Sequence, residues 1–406
     1  NAGRRHAALR ALGHSLKYYV AALRGRRPHR DFDYGIKAIA VQAARVREKS
    51  LSAPLFDFER EAALLRRELE ASPERSPRIH ATKGEVYVAL GKYKKAAKSY
   101  RRFCEDPQVG TYHLNKELRQ LRDVWGIGDG SSESRLVVTI LQSALLERPR
   151  GSLDVRPEDH VGTPVHGRGS KGQEAKGLGE STPRTPTRVI SQVDLAFSRA
   201  KSVCRLMDGP RTLGAGFLVN GAELAGSLPD KTLLLTTFSI VSALAEHDLG
   251  ASWTGPPPRL RAVFEWNDAP AHSVTPLRDS EALDYAVLEL EGLGTAPSIP
   301  IANLSLPAKT RRPRFYVFGH DSQGSRLTIG DRRFVGHVAL EEGDYLRYEE
   351  RGMPAALGSP VLDESSMSVV ALHVRRRALM SWVVPPSEAS PTGEGLTLAT
   401  IQRDLG

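Results

Sequence analysis

The stretch Met353-Pro-Ala-Ala-Leu-Gly-Ser-Pro-Val-Leu-Asp363, followed by Ser368-Val-Val-Ala-Leu-His373, decides how the second half of this 406-residue chain is read. Gly358-Ser359-Pro360 leads into an apolar run, Pro360–Leu362, that reads as a strand, and Val369–His373 reads as another. The residue ahead of Gly358 is Leu357. An isobutyl side chain has no proton to give up and cannot attack a carbonyl.

Working outward, short β-type runs broken by Gly, Pro and Asp begin at Val189. Ser202–Leu206, Gly216–Val219, Thr232–Thr237, Arg259–Glu265, Tyr285–Leu290, Arg314–Phe318 and Tyr345–Tyr348 join the two strands above. Many short strands without helices between them predict a sandwich or barrel.

These runs carry the landmarks of a known family in chain order. Gly214-Ala-Gly-Phe-Leu-Val219, Leu234-Leu-Thr-Thr-Phe-Ser-Ile-Val241, Leu283-Asp-Tyr-Ala-Val-Leu-Glu-Leu290, Phe318-Gly-His320 and the 353–373 stretch together resemble a trypsin-like (chymotrypsin-fold) serine peptidase. The resemblance implies an all-β double barrel over residues 191–406. Acyl transfer in that family needs a hydroxyl nucleophile, an imidazole base, an orienting carboxylate and backbone donors for the oxyanion.

Carried onto this chain, the resemblance puts Asp284 at the carboxylate position, Ser239 at the histidine position and Leu357 at the serine position. Ala355 stands where a glycine usually shapes the oxyanion loop. With two of three triad members replaced, the domain reads as a pseudopeptidase. A register shift of two makes Ser359 an alternative nucleophile, although Gly358 and Pro360 fit the usual post-nucleophile positions better. His247, His272, His320 and His373 are candidate replacement bases. The competing reading is therefore an active serine endopeptidase with a displaced or partner-completed triad. A dead cleft would still bind a peptide or protein partner, an extended peptide adding a strand to the sheet.

The first half is helical. Leu9, Leu12, Leu16, Val20 and Leu23 recur at helical spacing over 5–24, and further helices are predicted from Tyr34 to Arg47 and from Phe56 to Leu69. Ile79–Gly91 and Tyr93–Phe103 form a helix hairpin about Gly91-Lys92, with small residues at the close crossing. The expected domain spans 1–145.

Leu12-Gly-His-Ser-Leu-Lys17, Asp33-Tyr-Gly-Ile-Lys-Ala38, that hairpin and Glu117-Leu-Arg-Gln-Leu121 resemble the tetratricopeptide-type domain of the TRAF-binding region of stress-activated kinase kinases. Bacterial relatives of that domain are fused to effectors in immunity systems. The resemblance implies a sensor for a small nucleotide-derived ligand, with Lys17, Tyr34, Lys37, Arg119 and Gln120 at the ligand-binding positions. Cations and an aromatic face suit a phosphate and a base.

Between the halves, residues 146–190 are basic and rich in Pro, Gly and Ser, with too little apolar surface to offset chain entropy, and read as a flexible linker. The formal net charge of +10 admits a nucleic-acid partner, yet dispersed solubilising charge accounts for it as well. Only Cys104 and Cys204 occur, which fits a reducing, cytoplasmic setting. No apolar run approaches a membrane span, and neither a cofactor nor a metal is called for. The chain opens on Asn1 rather than Met, which reads as a trimmed N-terminus.

Overall fold

A computed structural model describes residues 32–47, 56–127, 132–148, 151–156, 186–242, 260–265, 271–293, 297–302, 313–320, 327–340, 343–349, 355–374 and 392–406. The helix expected over 5–24, Lys17, most of the linker, His247 and Met353 lie outside these residues. The chain divides into two compact units, 1–148 and 149–406.

The described part of the first unit is helical: α1 (Phe32–Arg47), α2 (Phe58–Ala71), α3 (Pro77–Ala89), α4 (Tyr93–Glu105), α5 (Thr111–Arg119) and α6 (Ser132–Glu147). Asp57 caps α2 by accepting from the N–H groups of Glu59 and Arg60, each at 3.1 Å. Pro77 opens α3, where the missing N–H costs nothing. The α3–α4 hairpin packs closely because position 84 is glycine. A Cβ there would lie 2.6 Å from the Tyr100 ring. Past Arg119 the helix widens into a π turn, Gln120–Val124, and the carbonyls of Val124 and Trp125 accept from the guanidinium of Arg47.

The second unit holds two six-stranded barrels. In the first, β2 (Val203–Asp208), β3 (Arg211–Asn220), β4 (Thr232–Thr236), β5 (Arg261–Val263), β6 (His272–Ser280) and β7 (Tyr285–Leu290) close in the order β2-β3-β4-β7-β6-β5. In the second, β8 (Arg314–His320), β9 (Leu327–Ala339), β10 (Asp344–Glu349), β11 (Pro360–Asp363), β12 (Val369–Val374) and β13 (Thr392–Thr397) run β9-β10-β13-β12-β11-β8, and β8–β9 pairing closes the ring. Each barrel has its own apolar core, the first built on Leu218, Leu234 and Leu288, the second on Phe315, Leu346 and Val361.

Two features tie the barrels together. In the segment 297–302, Ile299 donates to the carbonyl of Leu218 at 2.8 Å and Ala302 to that of Val369 at 3.0 Å. The closing helix α8 (Leu398–Leu405) leaves the second barrel and returns to the first, where the carbonyl of Leu405 accepts from Ser227 at 2.7 Å.

The helical region followed by a double barrel matches the expected fold class. Several elements differ from expectation. β1 (Ser152–Val155) falls inside the stretch read as a linker, yet pairs antiparallel with Leu327–Gly330 of β9 and buries Leu153 and Val155. The alternation of two apolar residues is too short a signal to outweigh the Pro/Gly-rich surroundings. A helix, α7 (Pro186–Ala200), also begins inside that stretch. β6 and β9 escaped the sequence reading as well. β6 is largely solvent-facing and holds Pro276 beside a register shift, which demotes a strand pattern. β9 carries Asp331 and Arg332 at buried positions, and charge inside a strand hides its period. Asp331 is accommodated by Arg314, which donates to it from Nε at 3.1 Å and pairs through a second nitrogen at 2.9 Å.

Candidate functional site

The loop 355–359 lies between the two barrels. Leu357 packs on the apolar cluster of the first barrel and Ala355 on that of the second. The backbone fastens the loop on both sides. The carbonyl of Leu357 accepts from Ala215 of β3 at 2.7 Å, and the N–H of Gly358 donates to the carbonyl of His373 at 2.9 Å. Gly358 has φ +82°, and a Cβ there would stand 2.0 Å from the carbonyl oxygen of Ala215. Only glycine meets both demands.

Asp284, in the turn before β7, has φ +57°. Aspartate tolerates this left-handed conformation better than most residues. Its carboxylate turns to Ser239. The N–H of Ser239 donates to Oδ1 at 2.8 Å and the hydroxyl reaches Oδ2 at 3.4 Å. The same hydroxyl lies 3.2 Å from the Thr237 hydroxyl. The fold therefore brings Asp284 and Ser239 together, as the chain order implied. A serine hydroxyl does not accept a proton near neutral pH, and no imidazole hydrogen-bonds to Asp284 among the described residues.

Ser359, the alternative nucleophile, is fully buried and its Oγ has no hydrogen-bond partner among the described residues. It points at β8, where a Cβ on Gly319 would meet Oγ at 2.7 Å. Of the candidate bases, His373 is buried with Nδ1 against the Tyr348 hydroxyl. His320 is buried with Nε2 3.4 Å from Glu265. Nδ1 of His272 lies 3.1 Å from the carbonyl oxygen of Glu291.

With this geometry, the second unit has the trypsin-like protease fold. Residues 214–372 match the family model described as "Trypsin-like peptidase domain". Among solved structures, the chain is similar to the Rv3671c protease from M. tuberculosis in its active form, at 15% identity and a TM-score of 0.37, over 56% of this chain and 93% of that one. It is also similar to Deg5, at 14% identity and a TM-score of 0.39, over 55% and 95% of the two chains. No curated protein matches the chain.

In the first unit Tyr34, Lys37, Arg119 and Gln120 are the predicted ligand residues that fall among the described ones. Lys37 donates to Asp33 at 3.1 Å and sits 5.9 Å from the Tyr34 ring centroid. Arg119 is exposed, and Gln120 hydrogen-bonds to Glu85. A cavity of about 290 Å³ among the described residues is lined by Asp33, Arg78, Glu85, Phe103, Lys116 and Glu117 among others. Three carboxyls, of Asp33, Glu85 and Glu117, line it beside the cations of Arg78 and Lys116. Glu85 accepts from the Trp125 indole N–H at 3.0 Å, and burial pushes its carboxyl up against the lowering effect of that bond. Glu117 is raised too, by burial first and by the neighbouring Glu85 second. Sequence reading passed over both, because a helical glutamate ordinarily faces water. The one clue is the apolar company of Glu85 in Lys-Gly-Glu85-Val-Tyr-Val.

Proposed function

We propose that the chain joins a helical sensing unit to a non-catalytic trypsin-like unit that binds a peptide or protein partner in the cytoplasm. One observation carries the reading. Ser239 donates its N–H to Asp284 and shares its hydroxyl between Asp284 and Thr237, in the place where a triad needs an imidazole. Leu357 adds to it, since its side chain packs into barrel core and offers no nucleophile. The loop, Gly358 and Asp284 are retained while the groups that react are gone, which is what a scaffold kept for binding would look like. Both barrels close on themselves among the described strands, so an added peptide strand would pair at the barrel ends. A place in a bacterial defence system is part of this proposal and rests on the resemblance of the first half alone.

The second reading, a peptidase completed by a partner, draws on the preserved Asp284. Incubating the intact chain with a fluorophosphonate probe separates the two. No adduct is expected, and an adduct on any serine overturns the non-catalytic reading.

A further inference from the structure

The acidic cavity of the first unit is lined from α3 and α5, and the binding proposed for the second unit makes no use of it. Glu85 comes from α3 and Glu117 from α5. Glu85 is satisfied: Trp125 and Gln120 donate to it. Glu117 is not. It is 8% exposed, it lines the cavity, and its Oε2 accepts no hydrogen bond among the described residues. Burial keeps this unpartnered carboxyl protonated near neutral pH, and a cationic donor at Oε2 would favour its ionised form, so the open position is a place for such a donor.

The surroundings define that donor. Arg78, 58% exposed at its side chain, is 3.2 Å from Asp33, and Lys116 is exposed. Neither fills the place at Oε2. Phe103 and Val109 give the cavity an apolar wall. Once ionised, Glu85 and Glu117 repel a phosphate. Among the described residues no group of three or more His, Cys, Asp or Glu gathers as a metal needs. The π turn Gln120–Val124 brings Trp125 onto Glu85, and π turns inside helices are frequent at functional sites.

We infer that this cavity binds a compact organic cation, an alkylammonium or guanidinium group that donates to Glu117 beside Glu85 while its carbon skeleton lies on Phe103 and Val109. The volume of about 290 Å³ suits a small ligand of this kind. The inference gives the sensing unit of the proposed function a ligand class. Its test reads the first unit, whereas fluorophosphonate labelling reads the second, so either can fail alone.

The probes are putrescine and agmatine, titrated calorimetrically into the intact chain, with 1,4-butanediol as the neutral counterpart and AMP as the anionic one. At least one cation is expected to bind saturably and the diol and AMP not at all. A chain of net charge +10 gives cations little non-specific attraction. Glu117→Gln is expected to weaken binding at least about tenfold, the usual scale for losing one charged hydrogen bond. Wild-type affinity is expected to rise about tenfold between pH 6.5 and 8.5 as the floor carboxyls ionise, which needs no variant to fold. Silence from both cations, AMP binding in their place, equal affinity in a folded Glu117→Gln chain, or affinity that falls with pH overturns the inference.

Discussion

Asp284 and Ser239 are joined twice, backbone N–H to Oδ1 at 2.8 Å and hydroxyl to Oδ2 at 3.4 Å. On the proposed reading, this is the carboxylate that a triad would use to orient an imidazole.

Restoring chemistry should therefore need both missing groups at once. Triad members act as a unit, so one alone adds almost nothing. Ser239→His and Leu357→Ser are each expected to stay unlabelled by a fluorophosphonate, while the double variant acquires an adduct at position 357. Labelling of the Ser239→His single variant would show that another serine is placed to react.

The bond to Asp284 also supports the fold. Replacing Asp284 by Ala leaves the N–H of Ser239 without its acceptor and puts a residue poorly suited to φ +57° in the turn. A loss of about 1–3 kcal/mol is expected in urea unfolding. Asp284→Asn keeps an acceptor and tolerates the left-handed conformation, so it should lose clearly less.

Gly358→Ala tests the seating of the loop. The new Cβ meets the carbonyl of Ala215 and takes a strained φ, so the melting temperature of the second unit should fall. A loss of roughly 2 kcal/mol or more is expected. An unchanged melting temperature would mean that the 355–359 loop is not held between the barrels.

Arg314 bridges Asp331 and Glu364, at 2.9 and 3.3 Å, and these partners hold its guanidinium pKa above the ordinary value despite burial. Arg314→Met strands the buried Asp331 and should cost roughly 3 kcal/mol. The Arg314→Met/Asp331→Leu double variant should recover only part of that loss, because Glu364 loses the same guanidinium.

The floor carboxyls of the first unit predict a pH dependence. Burial raises Glu85 to about 7 and Glu117 to about 8, with Asp33, Lys37 and Lys116 as the other charges that bear on them. A raised carboxyl binds more protons folded than unfolded. Its contribution is complete below the unfolded value and is lost as pH climbs through the folded one. Stability should drop by roughly 2 kcal/mol between pH 6.5 and 8.5, and Glu117→Gln should flatten the slope. His80, lowered by burial, titrates below this window.

How much of this was legible in the chain follows from what each feature depends on. Local pattern and order sufficed for the helix hairpin about Gly91, for most barrel strands and for the pairing of position 239 with Asp284. Periodicity and turn residues act over a few neighbours, and ordered landmarks fix a topology. Sequence also determined that position 357 has no reactive atom. Only the tertiary structure decided the rest. It sank the Ser359 side chain against Gly319, since which face of a loop is buried depends on the second barrel closing over it. It recruited Ser152–Val155 to β9, an edge that exists only once that strand is in place. It also brought Glu85 and Glu117, 32 positions apart by number, to one cavity floor. Burying a carboxylate is a property of packing between helices, and no local pattern records it.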